Sequence, residues 1–133
     1  MSGIRLFSPF LDVGGVESLA FALAAATKRG VDLSIGYRAQ ADKTHAIRRL
    51  VAVLRAEGNA ARCTVVPFSG DQSFPHLKLL VVDGVRAYIG SANLTYAALT
   101  TNYEVGALVD GDAVDVYERL LDEVLQQQPN SPS

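Results

Sequence analysis

Apolar and polar positions alternate with two different periods along this chain, and each change of period marks a new element. Residues 4–8, Ile-Arg-Leu-Phe-Ser, read as a short strand. Residues 14–28 carry Val16, Leu19, Ala20, Leu23 and Ala24 at helical spacing, and Gly30 stops that helix. A second strand is predicted over 31–37. A second helix follows over 43–56, turning Ile47, Leu50, Val51 and Leu54 inward and ending at Gly58, with His45 off the apolar face and therefore on the surface. Residues 62–68 read as a third strand and 69–75 as a turn-rich loop, after which His76 opens a nearly continuous apolar strand. Asp83-Gly84 between two apolar runs is a hairpin signal leading into 85–89. The chain then predicts a strand over 102–109 and a helix over 112–125 with Ala113, Val116, Tyr117, Leu120, Leu121 and Val124 on one stripe.

Strand-helix-strand-helix-strand at the start implies right-handed crossovers and a parallel core, and the later hairpin adds antiparallel pairing. The expected fold is therefore α/β, a mixed, mostly parallel β-sheet flanked by helices on both faces. Residues 1–126 form a single domain, and 127–133, ending Pro-Asn-Ser-Pro-Ser, form a flexible tail.

Composition changes this picture little. With 133 residues, 49% hydrophobic and 20% charged, the chain is long enough for a real core and ordinary for a soluble domain. Its apolar stretches fall far short of the roughly 20 residues that a spanning helix needs, and no signal-peptide pattern opens the chain, so a cytoplasmic protein without a membrane span is expected. A lone cysteine, Cys63, excludes an intrachain disulfide, and with only His45 and His76 no structural zinc set is available. Cys63 reads as an inert small hydrophobe in a strand. Charge is more telling in its distribution than in its net value of -2: eleven Lys or Arg face seven acids through Ala87, and one Arg faces seven acids from Tyr88 onward. Lys43, Arg48, Arg49 and Arg55 share one helix and either form a basic surface for a polyanion or a solvated helix face.

The chemistry is concentrated in H76-L-K78-L-L-V-V-D83 and G90-S91-A-N93. In a strand, residues i and i+2 point the same way, so His76 and Lys78 are presented side by side. A neutral imidazole can attack phosphorus, a lysine cation offsets the oxyanion charge, and a serine hydroxyl and an asparagine amide can hold non-bridging oxygens. A strand-start histidine alone is more often structural, but a cation in so apolar a strand needs an anionic partner, and phosphate is the economical one.

These residues resemble the HKD motif of the phospholipase D superfamily, HxKxxxxD followed by GSxN. Glu104, in Thr101-Asn102-Tyr103-Glu104, stands where family members carry the acid that orients the motif histidine. The resemblance implies a phospholipase D-like fold and a metal-independent, two-step phosphodiester hydrolysis with no cofactor. In that scheme His76 attacks to give a phosphohistidine, a second His76 acts as general acid and then general base, Lys78 and Asn93 hold the phosphoryl oxygens, Ser91 assists, and Glu104 fixes the imidazole tautomer. Asp83 belongs to the motif and is expected to act as a turn residue. Related enzymes bring two motifs to one site, so a chain with one motif implies a homodimer or a second phospholipase D-like half. Single-motif relatives carry a further helix, often with a strand, before the segment that begins here at Ile4, so the chain reads as shortened at its front.

Gly90-Ser91-Ala92-Asn93-Leu94-Thr95 resembles the form found in the nuclease-like and DISARM-type, phage-defence-associated branch. The Asp and Arg-Ser-Phe run that tends to follow the motif in lipid synthases is absent. The expected substrate is nucleic acid, DNA before RNA. The alternatives are a lipid phosphodiesterase or phosphatidyltransferase, and a non-catalytic phosphodiester-binding module of a defence complex. Ser8, Tyr37, Arg38 and loop 69–75 are expected near the ligand-bearing strand ends. Phe10, Tyr37 and Tyr96 are either pocket-rim or core residues.

Overall fold

The computed structural model describes residues 3–8, 11–38, 44–68, 78–90, 95–100 and 104–126. Its elements in chain order are β1 (Gly3–Phe7), α1 (Val13–Lys28), β2 (Asp32–Arg38), α2 (Thr44–Glu57), a 3₁₀ turn (Ala60–Arg62), β3 (Cys63–Phe68), β4 (Leu79–Val82), β5 (Arg86–Gly90), α3 (Tyr96–Thr100), β6 (Gly106–Asp110) and α4 (Ala113–Gln126). The six strands form one sheet in the order β3-β2-β1-β4-β5-β6.

The sheet is mixed, with helices on both faces, and its parallel part is confined to β1, β2 and β3. β4 lies antiparallel to β1, β5 to β4 and β6 to β5. Parallel pairing therefore holds a smaller share than the opening order suggests. Among the described connections, helical crossovers join β1 to β2 and β2 to β3, and a hairpin can join only antiparallel neighbours.

Side-chain alternation divides the core in two. Ile4, Leu6, Leu33, Ile35 and Tyr37 face α1 and α2, where Val16, Ala20, Leu23, Ala24, Leu50, Val53 and Leu54 are buried against them. On the other face Phe7, Leu79, Val81 and Ala87 pack against Val114 and Leu121 of α4. Arg5 fixes α4 to β1, pairing with Glu118 at 3.3 Å and Asp122 at 2.7 Å. β4 alternates buried and half-buried residues rather than burying both faces, because Leu80 and Val82 lie beyond the closest cover of α1 and α2. In α4, Val116 and Leu120 point outward, at 57% and 37% exposure, so the buried stripe is narrower than the apolar one in the sequence.

Local signals explain the element ends. The Asp12 carboxylate accepts from the Gly15 N–H at 2.7 Å and caps α1. Gly30, at φ +95°, ends the same helix while the Val31 N–H donates to Ala26 O. Thr27, buried, donates to Ala24 O at 2.8 Å and accepts from the Asn59 N–H at 3.0 Å, tying the two helices of that face together. α3 was hidden in a stretch without helical periodicity. Its start is marked by the Thr95 hydroxyl, which accepts from the Ala98 N–H at 3.2 Å.

The β4–β5 connection is three residues long, Val82 pairing with Arg86, and Asp83 at φ +55° and Gly84 at φ +67° are the left-handed central pair of the turn closed by the Val85 N–H on Val82 O. Asp83 is also a clamp: its backbone N–H donates to Gly3 O at 2.7 Å, and its Oδ1 accepts from the Gly3 N–H at 2.8 Å. Asp83→Ala should therefore lower stability by about 1–2 kcal/mol, the cost of forcing a residue without local hydrogen bonding into the left-handed region. Urea denaturation measures this. Unchanged stability would remove the clamp from the account.

Candidate functional site

Strand direction brings the bracketing parts of the motif to one end of the sheet. β1 and β2 end there with Ser8, Tyr37 and Arg38; β4 starts there at Lys78; β5 ends there at Gly90; and Glu104 stands just before β6 begins. The Gly90 N–H donates to Lys78 O at 3.2 Å, which extends the β4–β5 ladder one step beyond the Leu79–Ile89 pair. Gly90 in turn pairs with Gly106. The two segments that carry the motif are thus joined at their roots by backbone hydrogen bonds.

His76, Ser91 and Asn93 lie outside the described residues, as do Phe10, loop 69–75 and Lys43. Lys78, half-buried, precedes β4 and shares its face with Leu80 and Val82, the side on which α1 and α2 pack. Glu104 is half-buried and already engaged in an interaction. Asp83 is elsewhere. It caps the opposite end of β4, five residues from Lys78, or about 16 Å at the rise of a strand. A motif residue at that distance cannot touch a phosphate held by Lys78, and its hydrogen bonds to Gly3 account for it as a turn residue.

Of the aromatic rim candidates, Tyr37 is buried in the core with 9% exposure, and burial raises its hydroxyl above the usual phenol range. The side chain of Tyr96 lies outside what is described. Cys63 is half-buried in β3, and burial pushes its thiol up, away from the reactive thiolate.

Electrostatics separate the two ends of the sheet. A cleft at the far end is lined by Asp32, Asp83 and Glu118 around Arg5, an acidic surface unsuited to a phosphodiester. Several cations are also spent locally: Arg49 on Glu17 at 2.8 Å, Arg62 on Asp32 at 2.9 Å and Arg86 on Asp110 at 2.8 Å. Arg48 and Arg55 stay exposed on α2, and because that helix begins at the carboxyl end of β2, Arg48 is the nearer of the two to Lys78's end. Of the two readings of this helix, basic surface or solvated face, the first loses Arg49 to its pairing with Glu17. Among the described residues no group of three or more His, Cys, Asp and Glu side chains is placed to hold a metal ion, and no helix is long and apolar enough to cross a membrane.

Residues 2–125 match the family described as cardiolipin synthase, PLD-like domain. The chain is 29% identical over 87 residues to the DISARM protein DrmC of Bacillus paralicheniformis, a match covering 64% of this chain and 36% of that protein. It is 37% identical over 106 residues to cardiolipin synthase A of Pseudomonas putida, covering 79% of this chain and 22% of that protein. The chain thus spans well under half the length of these curated relatives. In fold it is similar to Nuc, a phospholipase D family member from Salmonella typhimurium, with a TM-score of 0.76 at 24% identity over 99% of this chain and 83% of that one. It is similar also to NucT from Helicobacter pylori, with a TM-score of 0.65 at 16% identity over 94% of this chain and 79% of that one. A match across nearly the whole length, on a sheet that draws Lys78, Gly90 and Glu104 to one end, settles the family: this chain belongs to the PLD-like domain family of the phospholipase D superfamily.

Proposed function

We propose that this phospholipase D-type domain is a metal-independent nucleic-acid phosphodiesterase whose complete site is shared by two copies of the chain. The observation that carries the reading is the joining of Lys78 to Gly90 at one end of the sheet; in the sequence His76 precedes Lys78 by two residues, and Ser91 and Asn93 follow just after Gly90. His76 attacks phosphorus and the bond to the leaving oxygen breaks, while the partner's histidine supplies the proton. Water activated by that second histidine then hydrolyses the phosphohistidine. Lys78 and Asn93 offset the developing negative charge, Ser91 assists, and Glu104 holds the imidazole in the tautomer that attacks.

Nucleic acid is favoured over lipid because an open groove between two copies suits a continuous polyanion, Arg48 stands exposed toward the site end, and the sequences of 39–42 and 69–73 are polar rather than apolar. The relationship to DrmC supports a setting in phage defence. Lipid chemistry is the second reading, favoured by the identity to cardiolipin synthase A. The two part on substrate. Turnover of phosphatidyl substrates without hydrolysis of DNA, RNA or bis-p-nitrophenyl phosphate would establish the lipid reading and end the nuclease one.

Cleavage of single- or double-stranded DNA should persist in excess EDTA and vanish in His76→Ala without loss of fold. A requirement for added magnesium would contradict the scheme. Lys78→Ala should lose about 2.7–4 kcal/mol of transition-state stabilisation, the range for removal of one oxyanion donor. A near wild-type rate would make Lys78 structural.

Light scattering should show a dimer at micromolar concentration. When wild-type and His76→Ala subunits are mixed equally and allowed to exchange, about a quarter of the activity should remain, the random fraction of dimers with both histidines. A fully active monomer would contradict the shared site.

Nucleic-acid binding should weaken steeply with salt through counterion release, and Arg48→Ala should flatten the slope by about one unit if Arg48 contacts a phosphate. An unchanged slope would assign Arg48 to solvent.

A further inference from the structure

Tyr88 stands two residues before Gly90 on β5, in register with Leu80 of β4 and Leu108 of β6. Strand alternation puts its side chain on the same face as the row formed by Lys78, Gly90 and Gly106. The ring does not rise away from the sheet. It lies down along the strands toward Gly106 and Gly90: a Cβ added at Gly106 would stand 2.5 Å from the Tyr88 hydroxyl oxygen and 2.6 Å from Cζ, and one at Gly90 would also collide with that oxygen. Both glycines are therefore needed to make room for this ring, and together they carry its hydroxyl to the end of the sheet where the motif converges. Gly90, against which the oxygen rests, is the neighbour of Lys78 across the β4–β5 ladder, one strand spacing or about 4.8 Å away, and its N–H donates to the Lys78 carbonyl. Among the described residues the hydroxyl has no hydrogen-bond partner, and Tyr88 retains partial exposure.

A phenol turned over two glycines, one strand over from the lysine of the proposed phosphate site, with its donor uncommitted among the described residues, is a ready donor to an anion. We propose that the Tyr88 hydroxyl is a further phosphate-binding group of this site, donating a hydrogen bond to a non-bridging oxygen of the phosphoryl group that Lys78 neutralises. The proposal rests on the phosphodiesterase reading above. It adds a donor outside the HKD signature, held by the Gly90 and Gly106 cradle. Because the phosphoryl group is common to nucleic acids and lipids, Tyr88 would serve either substrate.

Tyr88→Phe tests it, since the ring remains to pack over Gly106 and only the donor is removed. Hydrolysis of bis-p-nitrophenyl phosphate should fall about tenfold or more in kcat/KM, as for loss of a hydrogen bond to a charged group. Inorganic phosphate, titrated by calorimetry, should bind correspondingly more weakly, with the melting temperature unchanged. Wild-type turnover and phosphate affinity in Tyr88→Phe would overturn the proposal, and so would a loss of turnover that left phosphate affinity intact. His76→Ala, run beside it, separates the two failures. An inactive His76→Ala with a fully active Tyr88→Phe refutes only the role of Tyr88, whereas an active His76→Ala refutes the phosphodiesterase scheme on which it rests.

Discussion

The β4–β5 hairpin is the constraint on which the site depends. At one end Asp83 and Gly84 supply the left-handed turn and Asp83 clamps the start of β1; at the other, the Gly90 N–H bonds to Lys78 O. Between these two fastenings the register is fixed, because a slip of one residue would exchange the buried Leu79, Val81 and Ala87 for the opposite face. The same slip would turn Lys78 away from the Gly90–Gly106 row. Core packing against α4 and placement of the lysine are thus one choice of register, not two.

This arrangement also explains why Asp83 belongs to the motif although it lies at the opposite end of β4 from Lys78. A sequence pattern records every position that the fold needs in order to deliver its functional groups, and Asp83 meets that need by closing the hairpin and holding Gly3. Its place in the motif groups it with the candidate reactive residues. Strand length separates them.

Much of the architecture was legible in the sequence because its signals are local. Helical spacing at Val16, Ala20, Leu23 and Ala24, Gly30 as a stop, and Asp83-Gly84 as a turn each depend on neighbours a few residues away. Less legible were features set by tertiary cover. The outward positions of Val116 and Leu120 depend on how wide a face the sheet offers α4, and the half-buried side of β4 depends on how far α1 and α2 extend. The Arg49–Glu17 pair joins residues 32 positions apart, so the basic face of α2 looked larger in sequence than it is. Of the candidate site residues, the motif singled out Lys78 and Glu104 and the sheet brings their strand ends together, whereas Tyr88, proposed here, had no signature of its own. Its clue was two glycines that become neighbours only when β5 pairs with β6.

The central claim is that phosphodiester cleavage passes through a covalent bond between phosphorus and His76. Rapid alkaline quenching during turnover, followed by mass spectrometry of the intact chain and its peptides, tests it most directly, since a phosphohistidine survives base. The account predicts a phosphoryl adduct on the peptide containing His76, formed in EDTA and absent in His76→Ala. Efficient turnover with no adduct under conditions where the second step is slowed, or an adduct on another residue, would contradict it.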